Sequence, residues 1–244
     1  MKVEIWSDFV CPFCYIGKRR FEKALEQFEH KDKVEIVFRS FELDPHVERN
    51  PKKNVYEYLA EKYGMSLEQA KATTQQVGKQ AEAVGLHYDF DNMKRTNTFD
   101  AHRLAHFANS EGKMEEMTER LMKAYFTEGL HIGDHEVLAN LASEVGLDRE
   151  KALDVLRNNG YADEVRRDEE IGRQLGITGV PFFLFNQKYA VFGAQSSDVF
   201  MDVLQKVWEE EQAQPSVINL NGKANSNRDD CADGSCSVSE NNRG

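Results

Sequence analysis

Two cysteines separated by two residues, placed where a strand gives way to a helix, constrain this chain more than any other feature. Lys2-Val3-Glu4-Ile5-Trp6 alternates with period two and predicts a short strand. Ser7-Asp8-Phe9-Val10 reads as a turn, and Cys11-Pro12-Phe13-Cys14 follows it. From Tyr15 to Glu29 the apolar positions Ile16, Phe21, Leu25 and Phe28 recur at helical spacing. Pro12 suits the first turn of that helix, where its missing N–H is no loss. Val34-Glu35-Ile36-Val37-Phe38 predicts a second strand. The opening is therefore β-α-β, with a C-x-x-C at the first strand-to-helix junction.

Cysteines at this spacing can bridge without moving the backbone. The unpaired N–H groups of the helix start and the positive end of its dipole favour a thiolate there. The first cysteine, at the cap, gains most and is expected to be exposed. The second lies one turn in and is expected to be more buried. Cys11 is assigned as the attacking nucleophile and Cys14 as the resolving thiol, with Pro12 and Phe13 between them as substrate contacts. In an oxidation, a substrate thiolate attacks the Cys11–Cys14 disulfide, Cys14 leaves, and a second substrate thiolate resolves the mixed disulfide on Cys11. The competing reading is half of a zinc site. It needs two more Cys or His ligands at knuckle spacing, and the local sequence lacks them. No metal and no cofactor is expected.

The middle of the chain reads as helical. Leu67, Ala70, Thr74, Val77, Ala81 and Val84 define one face, and similar stripes run from Phe99 to Asn109, Met114 to Phe126, Glu136 to Val145 and Arg149 to Arg157. Asp134 and Asp148 are candidate N-caps, and Gly146 and Gly160 candidate stops. A further helix is expected from about Tyr161 to Leu175. Phe182-Phe183-Leu184-Phe185 is a buried-strand run, Asn186-Gln187 a turn, and Tyr189-Ala190-Val191-Phe192 the second arm of a hairpin. Val199, Phe200, Val203, Leu204, Val207 and Trp208 mark a final amphipathic helix. From about Ala213 aromatics vanish and Asn, Ser, Asp and Gly dominate, as in a flexible tail.

Four stretches together resemble the DsbA family of thioredoxin-fold thiol–disulfide oxidoreductases, and within it the FrnE-like branch. They are Ser7-Asp8-Phe9-Val10-Cys11-Pro12-Phe13-Cys14-Tyr15-Ile16-Gly17, Phe41-Glu42-Leu43-Asp44-Pro45, Asn97-Thr98-Phe99-Asp100-Ala101-His102-Arg103-Leu104 and Gly176-Ile177-Thr178-Gly179-Val180-Pro181-Phe182-Phe183. The resemblance covers residues 1 to about 212. It implies an α/β chain: a thioredoxin-like fold with a helical domain inserted between the second strand and the cis-Pro strand. On that reading 1–45 is the first part of the thioredoxin-like domain, 46–175 the helical insertion, 176–212 the second part and 213–244 the tail. It implies catalysis at Cys11, Cys14 and Pro181, with Pro181 cis and the backbone at Val180 holding substrate. Relatives on the same fold, the 2-hydroxychromene-2-carboxylate isomerases and kappa-class glutathione transferases, use by resemblance a serine where Cys11 stands and bind glutathione. A glutathione-dependent isomerase or transferase is therefore the alternative, and a redox-sensing adaptor that binds a client protein is another.

Several residues carry more than one reading. His102 and His106 lie one helical turn apart without a third ligand, and His102 and Asn97 are expected to be structural or to line the site. His131 and His135 read as loop and cap residues. Phe9, Phe13, Phe182 and Phe183 are groove or core. Glu209-Glu210-Glu211 reads as a solvated helix end. Cys231 and Cys236 form a C-x4-C in the tail. The roughly 16 residues from Pro215 reach about 20–24 Å if flexible, so this pair is read as a redox relay to Cys11–Cys14, a soft-metal clip or an inert tail.

Charge narrows the partners. Acidic residues outnumber basic ones 42 to 31, a net −11, which argues against nucleic acid or an anionic membrane. No run of 18 uncharged apolar residues exists to span a bilayer. Acids inside the first eight residues oppose a secretory signal, so a cytoplasmic location is expected, where disulfides are mostly catalytic. The expected partners are thiol- or disulfide-bearing proteins or small molecules.

Overall fold

The computed structural model of the protein describes residues 1–213. Cys231 and Cys236 lie outside the described residues. Strand β1 (Lys2–Ser7) leads into helix α1 (Pro12–Gln27), a 3-10 turn at Lys31–Lys33 and strand β2 (Glu35–Ser40). Seven helices follow: α2 (Val55–Tyr63), α3 (Leu67–Glu82), α4 (Phe99–Ser110), α5 (Met114–Phe126), α6 (His135–Glu144), α7 (Arg149–Arg157) and α8 (Ala162–Gln174). The chain then returns to the sheet as β3 (Phe182–Phe185) and β4 (Tyr189–Phe192) and ends in α9 (Ser197–Ala213).

The sheet order is β2-β1-β3-β4. β1 and β2 are parallel, with Val3 opposite Ile36 and Ile5 opposite Phe38. β3 runs antiparallel to β1, with Ile5 opposite Phe183, and β4 antiparallel to β3, with Phe183 opposite Val191. This is a thioredoxin-like fold carrying a helical insertion between its second strand and the cis-Pro strand.

Strand β3 explains its unbroken apolar run, because it is buried on both faces. Phe183 and Phe185 join Val3, Ile5, Phe21, Phe200 and Leu204 in a core under α1 and α9. Phe182 and Leu184 join Trp6 and Ile177 on the opposite face, against which α8 packs. A Cβ on Gly172 of α8 would lie 3.1 Å from Trp6 Nε1, so the bare glycine is what lets the helix approach. The Trp6 indole then donates to the Asp168 carbonyl oxygen at 3.0 Å. A separate, larger core built on α4, α5, α6 and α7 runs continuously into Cys11, Cys14, Tyr15 and Ile16.

Most predicted elements are present. Asp134 caps α6 through the Val137 N–H, and Asp148 caps α7 through Glu150 and Lys151. Gly146 takes the left-handed backbone that ends α6, with φ +85°. Three expectations change. Helix α2 has no counterpart in the periodicity reading, yet Asn54 and Glu57 form a reciprocal capping box at its start. Gly160 is not the left-handed stop after α7; Asn159 and Tyr161 hold that conformation instead, while Gly160 packs against Val155 and its N–H donates to the Val155 carbonyl. The Glu209–Glu211 run is not simply solvated. Glu210 accepts from Lys188 and from the Tyr189 hydroxyl, and Glu211 accepts from Asn186 and pairs with the N-terminal amine. These contacts fasten the end of α9 to the β3–β4 turn.

Candidate active site

Cys11 is the N-cap of α1, with extended backbone (φ −88°, ψ 111°), and Pro12 takes the first helical position. The Cys14 N–H donates to the Cys11 carbonyl at 3.0 Å, and the Cys11 N–H to the Asp8 carbonyl at 3.1 Å. Both cysteines are free thiols. The Val180–Pro181 peptide is cis. The Cys11 thiol faces it, donating to the Val180 carbonyl oxygen at 3.6 Å. Strand-end, helix-start and proline loop thus converge on one sulfur.

A glycine on α1 sets that convergence. A Cβ on Gly17 would lie 3.1 Å from Pro181 Cγ and 3.4 Å from Ala194 Cα. Helix and proline loop therefore touch without a side chain between them. On the other side Tyr88, from the segment after α3, donates its hydroxyl to the Pro12 carbonyl at 2.8 Å. Tyr88 stacks on Phe126 and lies near Tyr15. Burial raises the Tyr88 phenol well above its ordinary range, and the Cys11 sulfur adds to the rise.

Cys11 is not exposed as expected: only 4 % of it meets solvent. The insertion's core wraps the dithiol turn, and the Val180 carbonyl covers the sulfur. Cys14, one turn in, is 2 % exposed. Burial pushes its thiol well above the ordinary range, and the adjoining Cys11 sulfur pushes the same way. The backbone of Asp8 and the Ser7 hydroxyl offset part of that rise. Phe13 is the exposed member of the aromatic set at 38 %, whereas Phe9, Phe182 and Phe183 are core.

His102 is buried and Asn97 is partly exposed. His102 is 3 % exposed, its ring tilted by 40° against Phe9 with centroids 4.6 Å apart, and with Nε2 3.5 Å from Asp8 Oδ1. Asn97 serves its own chain: its amide oxygen accepts from the Phe99 N–H at 2.9 Å and its amide donates to the Pro45 carbonyl at 3.2 Å. His106 contacts Ser40 Oγ and Asp168, both at 3.1 Å. His131 contacts the Arg49 carbonyl, and His135 contacts Asp100. Gly17, Tyr88, Ser7 and Asp8 are the neighbours that sequence reasoning did not single out. Ser7, Asp8 and Gly17 lie inside the first stretch that carries the resemblance, though without an assigned role, and Tyr88 lies outside all four.

The sequence profile of the DSBA-like thioredoxin domain matches residues 2–205. A crystal structure of a probable DsbA oxidoreductase from Streptomyces coelicolor superposes with a TM-score of 0.83 at 47% identity, covering 86% of this chain and 91% of that one. The cytosolic disulfide reductase DsbM of Pseudomonas aeruginosa shares the fold, with a TM-score of 0.60 at 15% identity over 86% of this chain and 100% of that one. The uncharacterized protein YwbO of Bacillus subtilis is 32% identical over 200 residues, 81% of this chain and 92% of YwbO. With its dithiol at a helix cap, its cis-Pro opposite and these relatives, the chain belongs to the DsbA-like thioredoxin family.

Proposed function

We propose that the chain is a thiol–disulfide oxidoreductase or isomerase of the FrnE-like branch, working in the cytoplasm on protein or small-molecule thiols and disulfides. The observation that carries this reading is Cys11 at the cap of α1 with its sulfur on the carbonyl that precedes cis-Pro181. Cys11 is the nucleophile, Cys14 the resolving thiol, and Pro181 with Val180 presents the backbone against which a substrate lies. Phe13 and Pro12 form the outer lip.

In the reducing direction, Cys11 attacks a substrate disulfide, one substrate sulfur leaves as a thiolate, and a mixed disulfide forms on Cys11. Cys14 then attacks Cys11, the second substrate thiolate leaves, and the Cys11–Cys14 disulfide remains. Oxidation of a dithiol substrate runs the same steps backwards. The high-lying Cys14 thiol makes the dithiol form retain its proton until resolution.

Insulin reduction and refolding of scrambled ribonuclease, with wild type and Cys11→Ser, test the reading. Turnover in wild type and its loss in the variant support the enzyme. Client binding without turnover establishes the adaptor instead. Turnover only with glutathione conjugates, and none with insulin, establishes the glutathione-dependent alternative.

A further inference from the structure

Two cations meet at a cavity beside the dithiol turn with no carboxylate bonded to either. The cavity holds about 160 Å³. Asp8 and Val10, from the turn that precedes Cys11, form one wall, and Val55, Tyr58, Lys62 and Tyr63 of α2 form another. The Cys11 N–H donates to the Asp8 carbonyl at 3.1 Å, so cavity and nucleophile share one piece of backbone. Arg95 lines the cavity with its guanidinium 3.6 Å from the centre of the Tyr58 ring. Stacking occupies the face of the guanidinium and leaves its edge of N–H donors, which makes no hydrogen bond or ion pair among the described residues. Lys62 donates to the Tyr58 hydroxyl at 2.9 Å, which uses one of its three protons.

Two buried hydroxyls add to the case. Tyr125 and Thr98 line the cavity at 4 % and 3 % exposure, and neither hydroxyl has a hydrogen-bond partner among the described residues. Buried polar groups are seldom left unpaired, and a hydroxyl can donate to an anion. The acids of the lining do not answer these donors. One Asp8 oxygen accepts from the Leu43 N–H at 2.8 Å, and the other faces His102 Nε2 at 3.5 Å. Asp44 is the remaining acid, and one carboxylate does not balance two cations.

Size and lining describe the rest of the ligand. A cavity of roughly 150 Å³ takes up a benzene, so this one suits a short carbon chain or a single ring and excludes a folded partner. Val10, Leu43, Val47 and Val55 give it apolar walls. Leu43 and Tyr63 are 40 % and 62 % exposed, an apolar rim that a bound chain would cover. Helix α2 buries none of its residues, so this wall can move aside at little cost in packing.

We propose that this cavity is a specificity subsite for disulfides that carry a carboxylate, with the carboxylate on Arg95 and Lys62 and the carbon chain against the apolar walls. The inference rests on the dithiol reading above and names a substrate class for it. Cys11 Sγ bonds the sulfur of the half so held, the substrate S–S bond breaks, and the other half leaves as a thiolate. Arg95 and Lys62 select the substrate and take no part in the exchange of sulfurs. The carboxylate comes from a small molecule or from an acidic residue beside a substrate cysteine.

The test uses the full chain with Cys231→Ser and Cys236→Ser, so that only Cys11 and Cys14 report. The reduced protein is mixed with 3,3′-dithiodipropionate or with its diamide, which differ in charge and hardly in shape. Iodoacetamide quenching and mass spectrometry read the loss of free thiol, and each rate is divided by that of dithiothreitol with the same disulfide. The chain's net charge of −11 would by itself favour the diamide. The subsite predicts the opposite, a diacid-to-diamide ratio of about tenfold or more, the scale of a hydrogen bond to a charged group. Arg95→Gln should bring the ratio down to one or below. A ratio of one or below in the unsubstituted Arg95 protein, or one that Arg95→Gln leaves unchanged, overturns the proposal. Should Arg95→Gln not fold, Lys62→Gln at an exposed position of α2 decides: a lowered ratio supports the subsite and an unchanged one overturns it. Symmetric disulfides of acetyl-Gly-Cys-Asp-amide and acetyl-Gly-Cys-Asn-amide separate the sources. Preference for the aspartate peptide assigns the site to protein substrates, and preference confined to the small diacid assigns it to small molecules. Failure to open any of these disulfides refutes the dithiol reading itself, whereas opening them all without preference refutes the subsite alone.

Discussion

Gly17→Ala tests whether the contact between α1 and the proline loop governs the site. A glycine inside a helix costs about 1 kcal/mol relative to alanine, so the substitution gains that much if the site has room. It does not have room. The new Cβ would lie 3.1 Å from Pro181 Cγ, 3.4 Å from Ala194 Cα and 3.5 Å from Ala194 Cβ. Carbon atoms prefer about 3.5–4.0 Å, so the Pro181 ring must retreat by roughly 0.4 Å or more. Overpacking of this kind costs about 1–3 kcal/mol. The net is a loss of about 0–2 kcal/mol, or at most roughly 4–8 °C in Tm for a chain of this size. Activity should fall further than stability. Misplacement by 1 Å costs about 10²-fold in rate, so a shift near half that, moving the Val180 carbonyl off Cys11, predicts about a tenfold loss of insulin-reduction kcat/KM. Gly78→Ala is the control, because its Cβ meets nothing nearer than Phe90 at 3.9 Å. It should stabilise by about 0.5–1 kcal/mol with unchanged turnover. A Gly17→Ala protein that gains stability and keeps full activity refutes the packing argument.

Asp168→Asn should destabilise by about 2–4 kcal/mol, since a buried charged acceptor is lost. Burial alone would raise this carboxylate, but His106, the Ser40 N–H and Arg39 together hold it below its ordinary value. Its contribution is present above the unfolded carboxylate pKa of about 3.9 and is lost as pH falls through the lower folded value. Urea melts of the two proteins should therefore differ most near neutrality and converge on acidification. Cys14→Ser should trap a mixed disulfide with substrate on Cys11, visible by mass spectrometry under non-reducing conditions; free substrate alone would remove Cys14 from the resolving role. Replacing Cys231 and Cys236 with serine should change the steady-state redox state of Cys11–Cys14 if the tail pair is a relay, and alkylation trapping reads this directly; no change in redox state or turnover removes the relay.

The parts of the fold written in local pattern were legible. Alternation gave β1, the four-residue apolar run gave β3, and helical spacing gave α1, α3 to α7 and α9. The dithiol needed only spacing and a strand-helix junction. What escaped depends on contacts far apart in sequence. Cys11 is buried because Val180 meets its sulfur and Tyr88 meets the Pro12 carbonyl beside it, each across more than seventy residues. Gly17 looks like a weak helix residue until Pro181 is placed beside it. His102 reads as a polar residue on an insertion helix, and only the packing of α4 against the β1–α1 turn shows that it points inward at Asp8. Helix α2 was missed for the opposite reason: its signal is the local Asn54–Glu57 cap, and none of its residues is buried.

A nucleophile that solvent barely touches changes what a reactivity measurement means. The rate at which a reagent modifies Cys11 combines the chemistry of the sulfur with the frequency at which its cover lifts, so reagents of different bulk should report different numbers. Iodoacetamide and a bulky maleimide, matched on a free thiol, measure the gap. A wide gap that narrows in Gly17→Ala would identify breathing between α1 and the proline loop as the gate. Substrate choice is then partly a question of time, because a flexible disulfide that can wait at the mouth for an opening reacts, and a rigid one that cannot is turned away.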